Sequence, residues 1–368
     1  MKNIAIACGG TGGHIYPGLT IGTKLKEKGL NPFFIGSDSR MEKDLIPQSG
    51  YEFIGLPVQQ INKKNPLATL LNWWKCSELA KAAMRKQQPM ALVGLGSYIT
   101  VPALLAAWQL KIPIFLIETN VVPGKANQAL GKLAKWVALA HARTAPAFGK
   151  TPTHVTGSPV RPEFVGVSRA EGAQYFHLDP VQPVLSIIGG SQGAQIINQS
   201  IVDALPQLLA IPGLQIVHVC GASNYDHIRQ TSASYAGHSG YHLLKYVDNM
   251  PALLACTDLA ISRAGASMIA ELIVCQVPTI YIPGQFGGGH QGENAQAVVE
   301  AEAGILLPES QLSAPGLIQL IQDVISDTER LSRMRQNCTH LNTIHASDKI
   351  VDLILESLNL SQKEVLTC

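Results

Sequence analysis

Two segments of this chain join an apolar strand to a glycine-rich turn and then a helix, a device that brings backbone N–H groups up to an anion. The first runs from Asn3–Cys8 into Gly9-Gly10-Thr11-Gly12-Gly13-His14, and the second from Val184–Ile188 into Gly189-Gly190-Ser191-Gln192-Gly193. Glycine has no Cβ to hold a ligand away, and the first turn of a following helix leaves its amides without intrahelical partners. Each turn opens about half of the chain. The pattern predicts two doubly wound α/β domains facing one another across a cleft, with a phosphorylated ligand. Neither turn fits the G-x-G-x-x-G fingerprint, because Ile15 stands three residues after Gly12, and no G-x-x-x-x-G-K-[ST] occurs. Hydride transfer and P-loop hydrolysis therefore lose their main support. The plainer reading is a pair of tight βα turns; the density of glycine in both halves favours anion binding.

Several side chains stand where they can act on such a ligand. His14 follows the first cluster at the mouth of its helix, where an imidazole either removes a hydroxyl proton near neutral pH or simply packs at the turn. A helix N-terminus disfavours the imidazolium and keeps the base available. Glu271 lies one helical turn beyond Ser267, after Ser262-Arg263-Ala264-Gly265-Ala266. A carboxylate at the edge of a parallel sheet can accept both hydrogen bonds of a ribose diol; the alternative is a solvated helix face, which the neighbours Ile269, Ala270, Leu272 and Ile273 disfavour. His290-Gln291-Gly292-Glu293-Asn294, after Gly287-Gly288-Gly289, offers polar groups suited to sugar hydroxyls or to a simple N-cap. No Asp-x-Asp metal clamp is present, so a site without metal or cofactor is expected, with helix termini and Arg161 or Arg263 stabilising a leaving diphosphate.

The elements that position these residues alternate between strand and helix, the mark of parallel α/β layers. Strands are predicted at 3–8, 31–35, 91–94, 114–117 and 136–139, then at 184–188, 215–219, 259–262 and 279–282. A helix is predicted from Gly18 to Lys28, closed by Gly29. The proline-rich stretch Thr156–Pro162 reads as the linker, giving domains 1–160 and 161–339, with a helix near 340–360 packing back on the first. At 368 residues and 46% hydrophobic, the chain has material for two cores. A net charge of +2 gives no reason to expect nucleic acid, and the seven scattered cysteines read as buried thiols in a reducing compartment. No signal peptide or membrane span is expected.

One stretch is surface chemistry of another kind. Lys63 and Lys64 precede Leu67, Leu70, Leu71, Trp73, Trp74 and Lys75, with Lys81, Arg85 and Lys86 beyond. Apolar anchors at helical spacing, ringed by cations, match a segment resting on an anionic bilayer; a core-facing amphipathic helix is the competing reading.

Taken together, seven motifs in order resemble the MurG family of bacterial N-acetylglucosaminyltransferases, glycosyltransferase family 28, over nearly the whole chain. Besides the two glycine turns, they include Gly96-Ser97-Tyr98 with Pro102, Glu118-Thr119-Asn120 with Gly124 and Asn127, and Gly157-Ser158-Pro159-Val160-Arg161. Arg263-Ala264-Gly265-Ala266 with Glu271, and His290-Gln291 with Asn294-Ala295, complete the set. The resemblance implies a GT-B fold and transfer of N-acetylglucosamine from UDP to the C4 hydroxyl of undecaprenyl-diphosphoryl-muramoyl-pentapeptide, with inversion. A different acceptor such as diacylglycerol, an epimerase, or a non-catalytic UDP-sugar-binding scaffold at the membrane are the rival readings. By position, Glu271 would hold the ribose and Val247 would read the uracil. Ser191, Gln192 and Arg161 would meet the diphosphate, and His290 and Gln291 the sugar. Thr11, Gly12, Gly13, Asn120, Gly190, Gly193, Arg263 and Ala266 complete the donor set. Gly13, His14, Tyr98, Glu118, Asn120 and Asn127 would line the acceptor pocket, with His14 or Glu118 as the base. The stretch around Trp74 corresponds to a membrane contact. The resemblance thus implies a peripheral protein on the cytoplasmic face of the inner membrane, with other cell-wall synthesis proteins as partners. The chain departs from the family pattern at Ser97, Ile117, Thr119, Ser158 and Gly289.

Overall fold

Along the first strand the residues alternate between two apolar layers, and that alternation sets the architecture of the N-terminal half. The computed structural model describes residues 2–62, 64–190, 193–284 and 290–360; Lys63, Ser191, Gln192 and Gly287–Gly289 lie outside the described residues. Strand β1 (Asn3–Ala7) sends Ile4 and Ile6 to one face, where they meet Ile15, Ile21 and Leu25 of the helix Gly12–Glu27. Ala5 and Ala7 point to the other face, against Cys76, Ala80 and Met84 of the helix Pro66–Gln87 and Leu104 of the helix Val101–Gln109. Both faces are covered, so the strand reads as a continuous apolar run.

The chain forms two compact units, one comprising the residues up to Arg161 together with those from Thr343 onward, the other Pro162–Asn342. The N-terminal unit holds a seven-stranded sheet in the order β3-β2-β1-β4-β5-β6-β7. Its remaining strands are β2 (Asn31–Ser37), β3 (Phe53–Leu56), β4 (Ala91–Gly94), β5 (Ile114–Glu118), β6 (Trp136–Leu139) and β7 (Thr153–Val155). The C-terminal unit holds a six-stranded sheet in the order β10-β9-β8-β11-β12-β13. These are β8 (Val184–Ile188), β9 (Gln215–Val219), β10 (Tyr241–Leu244), β11 (Leu259–Ser262), β12 (Thr279–Tyr281) and β13 (Gly304–Leu306). All pairings are parallel, so every βα turn lies at one edge of its sheet. The strand order reverses between β1 and β4 and again between β8 and β11. Each glycine turn therefore opens at the switch point of its own sheet, where doubly wound folds take their ligands.

The last described helix, Ala346–Ser357, belongs to the N-terminal unit. Ile350, Val351, Ile354 and Leu355 are buried in the same cluster as β1. Lys24 reaches Asp348 at 3.2 Å, and the Trp136 indole N–H donates to Ser357 Oγ at 2.8 Å. The helix after the first glycine turn starts at Gly12, not at Gly18, and encloses Pro17. Proline has no N–H to give the turn before it, yet its fixed φ is compatible with the helix. His14 accordingly sits within the first helical turn.

Candidate active site

In the N-terminal unit the loops after β1, β4 and β5 converge. Glu118, the last residue of β5, is 3% exposed, and each of its oxygens accepts two hydrogen bonds. Oε1 takes the backbone N–H and the side-chain amide of Asn120, both at 3.0 Å, while Oε2 takes Gly124 N–H at 2.9 Å and Asn127 Nδ2 at 3.0 Å. Asn127 is itself buried and gives a further bond to the Ile117 carbonyl. A Cβ on Gly96 would sit 3.1 Å from Asn127 Nδ2, so the loop carrying Tyr98 lies against the same group. Glu118 thus organises the segment that presents Asn120 and Asn127.

His14 is half-buried beside this carboxylate. Burial pushes the imidazole below the usual 6.5 of histidine, and the negative charge of Glu118 works in the opposite direction. Desolvation is the larger cause, rather than the helix terminus invoked from sequence. Nδ1 lies 3.3 Å from Thr11 Oγ1, a contact that orients the ring. Arg161 stacks its guanidinium over Tyr16, two residues further along the helix, at 4.5 Å.

Behind the first turn lies a residue that no sequence signal had marked. Glu42, the first residue of the helix Glu42–Gln48, is 0% exposed and accepts from Gly10 N–H and Ser37 N–H, each at 3.1 Å. It is one of three buried carboxylates among the described residues, with Glu118 and Glu271. Only a local pair of acids, Glu42 and Asp44, is visible in the sequence there, with nothing to tell which turns inward.

In the C-terminal unit the second glycine turn closes with Gly193 N–H donating to the Gly190 carbonyl at 2.9 Å. Gly193 has φ +74, and a Cβ there would fall 2.0 Å from the Cys220 carbonyl oxygen; Gly190, at φ +88, faces open space. Across the switch point, the helix Ala266–Val274 carries Glu271, 8% exposed, and Val247 is buried between β10 and the helix Met250–Cys256. His290 and Gln291 begin the helix His290–Glu300, and Gln291 Oε1 accepts from Gly284 N–H at 2.9 Å. The sequence offered Arg263 as a cation for a leaving diphosphate. The structure pairs it with Glu309 and with the Ile282 carbonyl at 3.0 Å, so its charge is matched and it braces the end of β12. Ser191 and Gln192 lie outside the described residues.

Residues 4–139 match the glycosyltransferase family 28 N-terminal domain and residues 184–352 match the family 28 C-terminal domain. A Fusobacterium nucleatum protein named UDP-N-acetylglucosamine--N-acetylmuramyl-(pentapeptide) pyrophosphoryl-undecaprenol N-acetylglucosamine transferase is 33% identical over 355 residues, covering 95% of this chain and 97% of its own. One of the same name from Halothermothrix orenii is 31% identical over 94% of this chain and 96% of its own. The chain belongs to glycosyltransferase family 28. A crystal structure of Acinetobacter baumannii MurG, 23% identical and covering 96% of this chain and 99% of its own, has the same fold with a TM-score of 0.76.

As a family 28 chain, this one carries its departures at telling places. Ile117 and Thr119 are buried at 1% and 8%, Ile117 in the core beside β1. Ser97 adopts φ 72, ψ 150, a region that only glycine visits freely. Among the described residues its Oγ accepts only a long bond from Ile99 N–H, at 3.5 Å. Ser97→Gly should relieve about 1–3 kcal/mol of strain, offset by roughly 0.5–1 kcal/mol for the freer unfolded chain. Thermal unfolding should show a higher midpoint; a lower one would mean that the hydroxyl outweighs the strain.

The helix Pro66–Gln87 presents Leu67, Leu70, Leu71 and Trp74 to solvent, between 59% and 71% exposed, with Lys75 exposed beside them. Trp73 departs from the membrane-contact set: it is turned inward against the core, and its indole N–H donates to the Gln59 carbonyl at 3.1 Å. One residue is a 100° rotation on a helix, enough to put adjacent tryptophans on different faces. Among the described residues, no helix is long and apolar enough to cross a membrane.

Proposed function

We propose that this family 28 chain transfers N-acetylglucosamine from UDP-N-acetylglucosamine to the C4 hydroxyl of undecaprenyl-diphosphoryl-N-acetylmuramoyl-pentapeptide, with inversion, as a step of peptidoglycan synthesis. The observation that carries this reading is the pairing, at the switch point of the C-terminal sheet, of a glycine turn and a buried carboxylate. That pairing suits a nucleoside diphosphate: amides for phosphate, carboxylate for ribose. The C-terminal unit accordingly binds UDP through Gly190–Gly193 and Glu271, with Val247 near the base and His290 and Gln291 near the sugar. The N-terminal unit binds the acceptor through Tyr98, Asn120 and Asn127, on the loop that Glu118 organises.

His14 is the base. It takes the proton of the acceptor hydroxyl as that oxygen attacks the anomeric carbon in line, and the bond to the β-phosphate oxygen breaks. Glu118 is ill placed for that task because both of its oxygens are filled by four donors. It serves instead to hold the acceptor loop and to steady the imidazolium that forms. Charge on departing UDP is stabilised by the second turn, where a helix-terminus contact contributes roughly 0.3–2 kcal/mol, so positioning supplies most of the rest.

Glu271→Ala should weaken UDP binding by about 1–3 kcal/mol, since two ribose hydroxyls lose their acceptor; an unchanged donor KM would remove it from the ribose. The exposed apolar row and its lysines support attachment to an anionic membrane surface at its cytoplasmic face. Leu67→Ser/Leu71→Ser/Trp74→Ser should lose sedimentation with phosphatidylglycerol vesicles while keeping a cooperative unfolding transition. Equal sedimentation of variant and parent would reassign that face. The activity itself is tested by supplying UDP-N-acetylglucosamine with purified lipid-linked muramoyl-pentapeptide and weighing the lipid product. A gain of one N-acetylhexosamine is expected. Acceptor-independent change of the donor would mark an epimerase, and binding without UDP release a non-catalytic protein.

A further inference from the structure

The two glycine turns are alike in sequence and unlike in what lies behind them. At the first, a Cβ on Gly9 would fall 2.2 Å from Glu42 Oε1, and one on Gly36 would fall 3.0 Å from Glu42 Cγ. These glycines make room for a side chain of the protein itself. Glu42 is fully buried, and among the described residues no lysine, arginine or histidine lies within ion-pair distance of it. What holds it are two backbone N–H groups, one of them from Gly10 in the turn itself. Its charge is felt nearby: with burial, it drives the Cys8 thiol well above its ordinary range. In the second turn the Gly193 amide goes to the Gly190 carbonyl and not to a carboxylate.

We propose that Glu42 is the resident anion of the first glycine turn, a positioning residue that fixes Gly9–His14 for the acceptor and closes that turn to phosphate. The Gly10 amide, which a phosphate would need, is already given to a carboxylate. Any anion arriving there meets a buried like charge in a poorly screened place. The first turn therefore receives a neutral part of the acceptor, its sugar hydroxyls, whereas the second turn alone cradles a diphosphate. Because Gly10 lies four residues before His14, the same bond fixes where the helix carrying the base begins. This inference rests on the assignment of the N-terminal unit to the acceptor.

Glu42→Gln tests it. The carboxamide keeps the shape but can accept from only one of the two amides, since its NH2 meets the other donor to donor. In the full-length protein, amide hydrogen exchange should show Gly10 and Ser37 protected in the parent and at least one of them exchanging tenfold or more faster in the variant. Steady-state transfer should show kcat down tenfold or more with donor KM within twofold, a split that a general loss of structure would not give. Unchanged exchange, a wild-type kcat, or donor KM rising in step with the loss of kcat would each overturn the proposal. A parent that transfers no sugar would count against the function above instead, and the exchange comparison would still decide the place of Glu42. If Glu42→Gln unfolds, Glu42→Asp keeps the charge with a shorter reach. It should lose the Gly10 protection and keep the donor KM, and retained protection at full rate would again overturn the proposal.

Discussion

Replacing His14 by alanine is expected to lower the rate of sugar transfer about 10²–10⁴-fold, the usual worth of a positioned general base, with UDP affinity within about twofold of the parent. The imidazole is active as the neutral base. Burial holds its pKa below 6.5, against the opposing pull of Glu118, so it is unprotonated through neutral pH. Acidification protonates it only below its ordinary range. The falling limb of kcat/KM on the acid side should therefore lie below pH 6.5 in the parent and disappear in the variant. A limb above 6.5, or a variant with the full rate, would remove His14 from the role. Glu118→Gln offers a second reading of the same pair, because losing the neighbouring charge should move the limb to lower pH still.

The second large effect is expected at Gly193. Alanine there meets two obstacles: φ +74 costs a non-glycine residue roughly 1–2 kcal/mol, and the new Cβ would overlap the Cys220 carbonyl at 2.0 Å and Asn224 Nδ2 at 2.6 Å. The turn must move, and the amides aimed at the diphosphate move with it. At about 1.4 kcal/mol per tenfold, UDP-N-acetylglucosamine affinity should fall on the order of 10–100-fold. Gly190→Ala is the control: it pays for φ +88 but meets nothing within 4 Å, so its loss should be several-fold smaller. Isothermal titration of both variants with UDP checks the order. Equal losses would mean that the backbone angle alone matters, and no loss in Gly193→Ala would move the nucleotide elsewhere.

The interior of this fold was legible because buried parallel strands are uninterrupted apolar runs. Every central strand stands where the sequence indicates, within a residue or two. The four strands that went unread, β3, β7, β10 and β13, are the four sheet edges. They are three or four residues long and only partly buried, so neither length nor pattern distinguishes them from loop. The glycine turns were visible as composition, but their reasons differ. Gly193 is glycine because a backbone carbonyl crowds it, and Gly9 because Glu42 does. A one-dimensional reading sees the missing side chain and not the neighbour that excludes it. The same limit applies to Trp73 and Arg263, whose roles depend on partners, Gln59 and Glu309, that are distant in sequence or unmarked by motif.

The measurement that bears most directly on this account is a crystal structure of the full chain with UDP-N-acetylglucosamine. The diphosphate should rest on the amides of the turn that follows β8, the ribose diol on the Glu271 carboxylate, and no phosphate oxygen on Gly10. A nucleotide seated on the turn that follows β1, with Glu271 untouched, would contradict it.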